Sequence, residues 1–215
     1  MTTTFPALLQ ARLARDPGSP FLTFYDDASG ERTELSVTTY ANWVSKSANL
    51  LADELMLDPG DAISIDLPPH WLGAVFLGAT AAAGVEIAAG ADVALVGPGG
   101  WESATATTVV ATALHPFATR FSTPLPAGVL DHGALWAGQP DVFSPVEPTP
   151  LETTPDDRRV LTDLNPLSPE GAALLVGLLA GSGSLVLVAR AEESRWPARS
   201  QSERATASVR ATAPI

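Results

Sequence analysis

Residues 60–84 read GDAISIDLPPHWLGAVFLGATAAAG, and this stretch decides how the rest of the chain is interpreted. Aliphatic residues occupy every second position from Ile63, which predicts a strand. The chain is then apolar almost all round, which predicts a buried helix from about Pro69 to Gly84. Because VEIAAG follows as a further strand, the stretch predicts a parallel βαβ unit.

The segments before this stretch predict two helices and a hairpin. Residues 5–15 have helical apolar spacing and stop before Asp-Pro-Gly. Residues 21–26 and 31–37 are strand-like and flank the turn sequence DDASG, so they predict a β-hairpin. Thr39 is the predicted N-cap of an amphipathic helix whose apolar positions continue to Leu55.

A second unit of the same order is predicted near the C-terminus. The strand RRVLTDL, residues 158–164, precedes a helix opened by Ser168, Pro169 and Glu170, and the strand GSLVLVAR follows at 183–190. The segment VVATAL, before the proline-rich middle of the chain, is also strand-like.

These units predict one α/β domain over residues 1–194, with a mainly parallel sheet and helices on both faces. Residues 195–215 are polar and poor in large apolar groups, so they predict a mobile tail. A chain of 215 residues buries about 70% of its unfolded surface, so its core needs no cross-links.

Composition excludes several classes of function. The chain has 24 acids against 12 bases, a net charge of −12, and we therefore expect no nucleic-acid partner and no membrane association. The absence of Cys excludes disulfides, a thiol nucleophile and thiolate metal sites. The N-terminal residues do not resemble a signal peptide, so a cytoplasmic location is expected.

The order of these motifs resembles the N-terminal part of the adenylate-forming superfamily, the acyl-CoA synthetases and their AMP-binding relatives. TTYANW at 38–43 is similar to the family's T-Y-x-E-L helix, and LDPGDAISIDLPP at 57–69 is similar to its G-D-x-V-A-I-x-L-P-N segment. Residues 77–97 continue in the same manner, and residues 156–190 resemble the D-x-x-L-x-x-L-P-L-F-H-x-x-G segment. The chain also resembles a short actinobacterial family with an AMP-binding-like N-terminus. The resemblance covers about two thirds of the chain and implies the fold of a synthetase's N-terminal subdomain.

The family's phosphate-binding chemistry is missing from this resemblance. The sequence contains no loop of the form T-S-G-T-T-G-x-P-K-G, whose amides and lysine surround ATP phosphates. Pro166 and Leu167 are followed by Ser168 rather than by the family's Phe-His, and Lys46, the single lysine, lies in an early helix. The family's adenine motif, ribose-binding Asp and lid lysine lie beyond the segment represented.

The resemblance therefore implies a non-catalytic relative with a ligand-binding or protein-interaction role, no catalytic residue and no cofactor. One alternative is a part of a split AMP-forming acyl-CoA synthetase, an adenylate-forming ligase that would bind ATP, AMP or CoA together with a partner. Another is a self-associating interaction module, because exposed sheet edges need covering. The small-molecule ligand is left open.

Two glycine groups are candidate phosphate sites. The segment Gly97-Pro98-Gly99-Gly100 follows DVALV, residues 92–96, which is predicted to be a further strand. Open α/β sheets bind ligands at such strand ends, but the segment lacks the P-loop residues and the dinucleotide spacing. A plain turn is the preferred interpretation. The segment Gly181-Ser182-Gly183-Ser184 joins a helix to a strand, so Gly181 is interpreted as the helix C-terminal glycine.

The three histidines give weaker candidates. Asp131 and His132 are the only adjacent acid and imidazole, but without a G-x-S-x-G elbow they are interpreted as a turn with a solvated His. His70 and Pro69 stand at the end of the predicted strand, where a ligand could touch them. Since His115 shares no metal-ligand spacing with the other two, no metal site is predicted.

The remaining conspicuous side chains are interpreted as structural. Without interleaved basic residues, the tryptophans are predicted to be core or interface groups: Trp43, Trp71, Trp101, Trp136 and Trp196. The acids of one loop are predicted to form a solvated face: Glu152, Asp156 and Asp157.

Overall fold

A computed structural model describes residues 2–116, 120–145 and 148–211. Among these residues, no helix is long and apolar enough to cross a membrane. In chain order the elements are β1 (Thr2–Thr4), α1 (Phe5–Arg15), β2 (Pro20–Asp26), β3 (Arg32–Ser36), α2 (Val37–Asn49), β4 (Ala62–Asp66), α3 (Trp71–Ala83), β5 (Glu86–Ile87), β6 (Val93–Val96), β7 (Thr108–Ala111), β8 (Val129–Asp131), α4 (His132–Trp136), β9 (Pro150–Glu152), β10 (Arg159–Thr162), α5 (Pro169–Ala180), β11 (Ser184–Ala189), α6 (Trp196–Ser202) and β12 (Ala207–Val209).

The chain forms two compact units, where the sequence predicted one domain over residues 1–194. Unit 1 comprises Met1–Ala41, Pro69–Ala74 and Pro150–Ile215, and unit 2 comprises Asn42–Pro68 and Val75–Thr149. Two of the boundaries fall inside the continuous helices α2 and α3. A helix carries no linker composition, so sequence patterns do not reveal these boundaries.

Unit 1 contains a five-stranded sheet in the order β12-β10-β11-β2-β3. Its pairs are parallel except for β2 and β3, which form the predicted antiparallel hairpin. All six residues of β11 are buried, as expected for a central strand covered on both faces. The predicted unit β10-α5-β11 is confirmed, and β1 pairs separately with β9 in an antiparallel ribbon.

Unit 2 contains a five-stranded parallel sheet in the order β5-β4-β6-β7-β8. The first predicted βαβ unit, β4-α3-β5, is confirmed, although α3 begins at Trp71 rather than at Pro69. Strand β8 and helix α4 were not predicted, because elements of three and five residues are too short to show a periodic pattern. The α/β class and the mainly parallel pairing are thus confirmed, with two sheets in place of one.

The start of α2 differs from the sequence prediction. The hydroxyl of Ser36 accepts the backbone N–H of Thr39 at 3.1 Å, which is the hydrogen bond of an N-cap. Ser36 is therefore the cap, and the choice of Thr39 was wrong. After Asn49 the helix widens into a π-helical segment, Leu50–Glu54.

Residues 195–209 form α6 and β12, where the sequence predicted a polar, mobile tail. Strand β12 pairs in parallel with β10. Arg159 donates to the backbone carbonyl of Glu203 at 2.7 Å, and Arg210 pairs with Asp163 at 2.9 Å. This segment is held by pairing and charge rather than by large apolar side chains, so composition alone suggested mobility.

Candidate functional site

His70 lies directly before α3 in unit 1 and is buried. Its Nδ1 accepts the backbone N–H of Leu72 at 3.2 Å, which leaves the proton of the neutral ring on Nε2. The ring stands edge-on to Phe24, with centroids 4.7 Å apart. Burial lowers the pKa of His70 to about 3, although the charge of Asp26 opposes the shift. At the strand end that a ligand could touch according to the sequence, His70 packs against Phe24 as a neutral group that caps the following helix.

His132 is the first residue of α4 in unit 2 and is completely buried, so the prediction of a solvated His was wrong. Its ring lies 5.3 Å from that of Phe76, between centroids. Asp131 accepts the N–H groups of Gly133 at 2.9 Å and Phe121 at 3.2 Å and caps α4. The adjacent acid and imidazole therefore do not form a catalytic dyad.

The two ring nitrogens of His132 have no hydrogen-bond partner among the described residues. Burial lowers the pKa of His132 to about 4, so the ring is neutral near pH 7. Thr112 follows β7 as His132 follows β8, and the strands pair Ala111 with Asp131. The Thr112 hydroxyl is also buried without a partner in the described part of the chain. These groups lie at the carboxyl ends of parallel strands, where α/β sheets commonly bind ligands, but they are uncharged.

The segment Gly97-Pro98-Gly99-Gly100 closes on itself after β6. Gly100 N–H donates to the Gly97 carbonyl at 3.1 Å, and Gly97 N–H donates to the Asp66 carbonyl at 3.2 Å. Gly99 has a φ of 81°, a backbone conformation that residues with a side chain rarely adopt. The segment therefore forms a turn, as the preferred interpretation predicted, and because Pro98 has no N–H it offers no continuous run of amides.

The second glycine group forms the end of α5, and Gly181 is its C-cap as predicted. Arg12 of α1, only 1% exposed, closes this end. Its guanidinium donates to four carbonyls, those of Leu178, Gly181, Ser182 and Gly183, at 3.0, 2.9, 3.2 and 3.0 Å. A cation at a helix C-terminus is favourable, and it takes up the carbonyls that the helix leaves unpaired. The group is therefore a structural cap for carbonyls and does not present amides to a phosphate.

Lys46, the single lysine, also has a structural role in unit 2. Its ammonium donates to the carbonyl of Gln139 and lies 3.3 Å from Asp141. It also lies 5.2 Å from the ring centroid of Trp136, which stacks on Trp43 with centroids 3.7 Å apart. These contacts hold the segment after α4 against α2, so the lysine is committed to the fold.

Charge is divided unequally between the units. By sequence, unit 2 has 11 acids and two bases, Lys46 and Arg120, whereas unit 1 has 13 acids and ten arginines. The formal charges are −9 and −3, which together give the total of −12. A surface as acidic as that of unit 2 repels polyphosphates.

The arginines at the carboxyl edge of the unit 1 sheet are bound to carboxylates. Asp27, which follows β2, is buried and accepts from Arg199 at 2.6 Å and from the N–H of Glu192 at 2.8 Å. Burial raises the pKa of Asp27, but these hydrogen bonds outweigh it and the pKa is lowered overall. Asp26 pairs with Arg190 in the same way. Sequence reasoning missed this cluster, because its partners lie more than 160 residues apart and share no motif.

The other sequence candidates are placed as follows. Trp71 and Trp43 are buried in the core, as predicted, and His115 is exposed. Asp157 accepts the N–H of Ser182 at 2.7 Å, so part of the acidic loop is bound rather than solvated. Within residues 2–116, 120–145 and 148–211, no three His, Asp or Glu side chains come together to hold a metal ion.

Comparison with known proteins places this fold. No protein-family model matches the chain. A TIGR03089 family protein of Mycobacterium tuberculosis is 50% identical over 76 residues, which are 35% of this chain and 31% of that protein. The acetoacetyl-CoA synthetase from Streptomyces lividans superposes with a TM-score of 0.74 at 19% identity, over 98% of this chain and 42% of its own. An acyl-CoA synthetase of Brucella canis gives a TM-score of 0.76 at 13% identity, over 98% of this chain and 47% of its own.

The chain thus spans less than half the length of these synthetases and about a third of the mycobacterial protein. The likeness extends over almost every residue of this chain, while sequence identity is low. The chain therefore has an acyl-CoA-synthetase-like fold, as the order of its motifs predicted.

Proposed function

We propose that the chain is a non-catalytic, AMP-binding-like protein that uses an acyl-CoA-synthetase-like framework for ligand binding or protein interaction in the cytoplasm. One observation carries the proposal: the framework matches synthetases over 98% of the chain, yet the sequence lacks the loop that holds ATP phosphates. The two glycine-rich segments that remain serve as a plain turn and a helix cap.

Electrostatics support the same conclusion. Adenylation needs positive groups aimed at the charge that develops on phosphorus. Lys46 is bound to Gln139 and Asp141, and the arginines that face Asp26 and Asp27 are paired with those acids, although Nη1 of Arg199 is buried without a partner among the described residues. The polar groups left unpaired at the carboxyl edge of unit 2, on His132 and Thr112, are neutral near pH 7. They therefore supply no positive charge for a polyphosphate.

ATP–pyrophosphate exchange with a panel of carboxylic acids tests the proposal. We expect the purified chain to give no exchange above the blank, beside an active synthetase as positive control. In thermal-shift measurements a ligand that binds only the folded state stabilises it by RT ln(1 + [L]/Kd). We expect no shift of the melting temperature with ATP, AMP or CoA. Fatty acids are screened as well, because they carry an apolar chain and no phosphate. Clear exchange with any acid overturns the proposal.

A split enzyme is the second candidate, favoured by the partial coverage of the synthetases. In that case a partner would supply the phosphate loop and the lid, and the pair would bind ATP, AMP or CoA. Affinity purification of the chain from its native cell tests this candidate. Recovery of the chain without a partner that carries T-S-G-T-T-G contradicts it. Pyrophosphate exchange by a recovered complex supports it.

Self-association is the third candidate, because the edge strands of both sheets leave backbone groups available for pairing. β3 and β12 are the edges in unit 1, and β5 and β8 are the edges in unit 2. A second copy is a ready partner for such strands. Light scattering over a range of concentrations tests it, and a constant monomer mass contradicts it.

A further inference from the structure

Met56 combines two unfavourable features in one residue of unit 2. Its φ is 54°, in the left-handed region that favours glycine, and its side chain is 76% exposed. A glycine at this position would avoid both the backbone strain and the exposed apolar surface. A residue that is costly in two independent ways is a candidate for a role outside the fold.

The backbone around Met56 is firmly held. The N–H of Leu55 donates to the Leu50 carbonyl at 3.0 Å, and the N–H of Leu57 donates to the Leu51 carbonyl at 3.0 Å. The side chains of Leu51 and Leu57 are buried on either side of the turn. Such π-helical turns are rare and often occur at functional sites. The exposed thioether is therefore displayed at a defined place.

Val142 adds a second exposed apolar side chain next to the same end of α2. It is 75% exposed. Asn49 at the end of α2 donates to the carbonyls of Pro140 and Val142, both at 3.0 Å. Glu54 in the π-helical segment accepts from Gln139 at 3.2 Å. These bonds hold residues 139–142 along the end of α2 and the π-helical segment Leu50–Glu54, and Met56 follows that segment two residues after Glu54.

Acidic residues lie within three positions of each of these apolar residues along the chain. We define the Met56 surface by its two apolar residues and four exposed acids, Met56, Val142, Asp53, Glu54, Asp58 and Asp141. The base beside Asp141, Lys46, is bound to that acid and to Gln139. Since unit 2 has a formal charge of −9, a second copy presenting the same surface would be repelled.

We propose that the Met56 surface docks a basic amphipathic helix of a partner protein. Methionine adapts its shape to different apolar side chains, which suits it to binding a helix. The apolar residues of such a helix would contact Met56 and Val142, and its Lys or Arg residues would face the acids. This inference deepens the protein-interaction form of the proposed function and rests on it.

The probe is a synthetic amphipathic helix of Leu and Lys, with a matched peptide that has Glu in place of every Lys. We expect fluorescence anisotropy with the full chain to show binding of the Lys peptide, weakening as salt rises, and no binding of the Glu peptide. Met56→Gly and Val142→Ser should each weaken binding at least about tenfold, which is an ordinary loss for an apolar anchor. Ile87→Ser, which changes another exposed apolar residue of unit 2, should leave binding unchanged.

Thermal melting separates docking from a structural role. Met56→Gly should bind the peptide poorly while its melting temperature stays level or rises, because the strained backbone is relieved. Unchanged peptide binding in Met56→Gly would show mere attraction between charges and overturn the inference. A lowered melting temperature of Met56→Gly would show that Met56 has a structural role. A wild-type dimer that dissociates in Met56→Gly would show that a second copy of the chain occupies the surface. Either result would also overturn the inference. Pyrophosphate exchange, measured separately, bears on the proposed function and not on this surface.

Discussion

A large polar side chain is buried in each unit, Arg12 in unit 1 and His132 in unit 2, but the two differ in their hydrogen bonding. Arg12 donates to four carbonyls and to Asp16. His132 has no hydrogen-bond partner on either nitrogen in the part of the chain that the structure describes. A buried guanidinium cannot lose its charge and must be paired, whereas a buried imidazole remains neutral. The buried polar group of unit 1 thus stabilises the fold through hydrogen bonds, whereas that of unit 2 has two ring nitrogens without hydrogen-bond partners among the described residues.

Two threonines repeat the contrast at the carboxyl ends of strands. Thr162 ends β10 in unit 1, and its buried hydroxyl accepts the N–H of Leu164 at 3.1 Å. Thr112 follows β7 in unit 2, and its buried hydroxyl has no partner among the described residues. These threonines allow the difference between the units to be measured with one type of substitution.

The largest expected effect is at Arg12. Arg12→Leu removes a donor from four carbonyls, of which that of Gly181 keeps a second donor in Arg15, and we expect the free energy of unfolding to fall by about 3–5 kcal/mol. Urea unfolding followed by tryptophan fluorescence measures it. Arg15→Leu is the control, because that side chain is 49% exposed and shares only the Gly181 carbonyl with Arg12, and the substitution should cost no more than about 1 kcal/mol. Equal losses in the two variants would contradict the role assigned to Arg12.

The pH dependence tests His132 next. Its pKa of about 4 lies below the ordinary value near 6.5, so the unfolded chain binds the extra proton more readily. Stability is therefore retained above pH 6.5 and is lost as the pH falls towards 4, by up to about 3 kcal/mol. His70, with a pKa of about 3, acts in the same direction.

His132→Leu should remove part of this loss, which unfolding measured at several pH values between 7 and 4 would show. Replacing the exposed His115 by Leu is the control and should leave the wild-type slope. If His132→Leu kept the full slope, the imidazole would not be buried and neutral as described.

Thr112→Val and Thr162→Val should have opposite signs. Removing the unpartnered hydroxyl of Thr112 should raise the free energy of unfolding by about 1 kcal/mol, because valine has the same shape without the polar atom. Thr162→Val should lower it by about 1 kcal/mol, because the N–H of Leu164 loses its acceptor. Chemical denaturation of the two variants decides, and the same sign in both would contradict the contrast between the units.

The smallest effect is expected for the ion pairs near the C-terminus. Arg210 pairs with Asp163 at 2.9 Å and with Glu193, and these side chains are partly exposed. Arg210→Ala should cost no more than about 0.5 kcal/mol, and the loss should shrink as salt rises. A loss comparable to that of Arg12→Leu would show that the exposed pairs of unit 1 are as important as its buried one.

Local patterns predicted much of the fold. Helix α5 is opened by the hydroxyl of Ser168, which accepts the N–H of Gly171 at 3.1 Å, and it ends at Gly181, all within one short segment. Burial of His132 depends on Phe76, more than 50 residues away, so the sequence suggested a solvated turn. For the candidate site, the sequence showed that the phosphate loop is absent, and it predicted the roles of the two glycine segments as a turn and a helix C-cap. It missed the pairing of Asp27 with Arg199, because long-range pairs share no spacing rule.

Unit 1 is built from three separate segments of the chain, and this determines the order in which the two sheets can form during synthesis. The strands of unit 2 all lie between Ala62 and Asp131, so its sheet can form as soon as that stretch has left the ribosome. Strand β2 pairs Leu22 with Leu185 and must wait for 163 further residues. At 5–20 residues per second this delay is roughly 10–30 s. During that time one edge of the β2-β3 hairpin is without its parallel neighbour, so the nascent chain is most exposed to mispairing at its earliest strands.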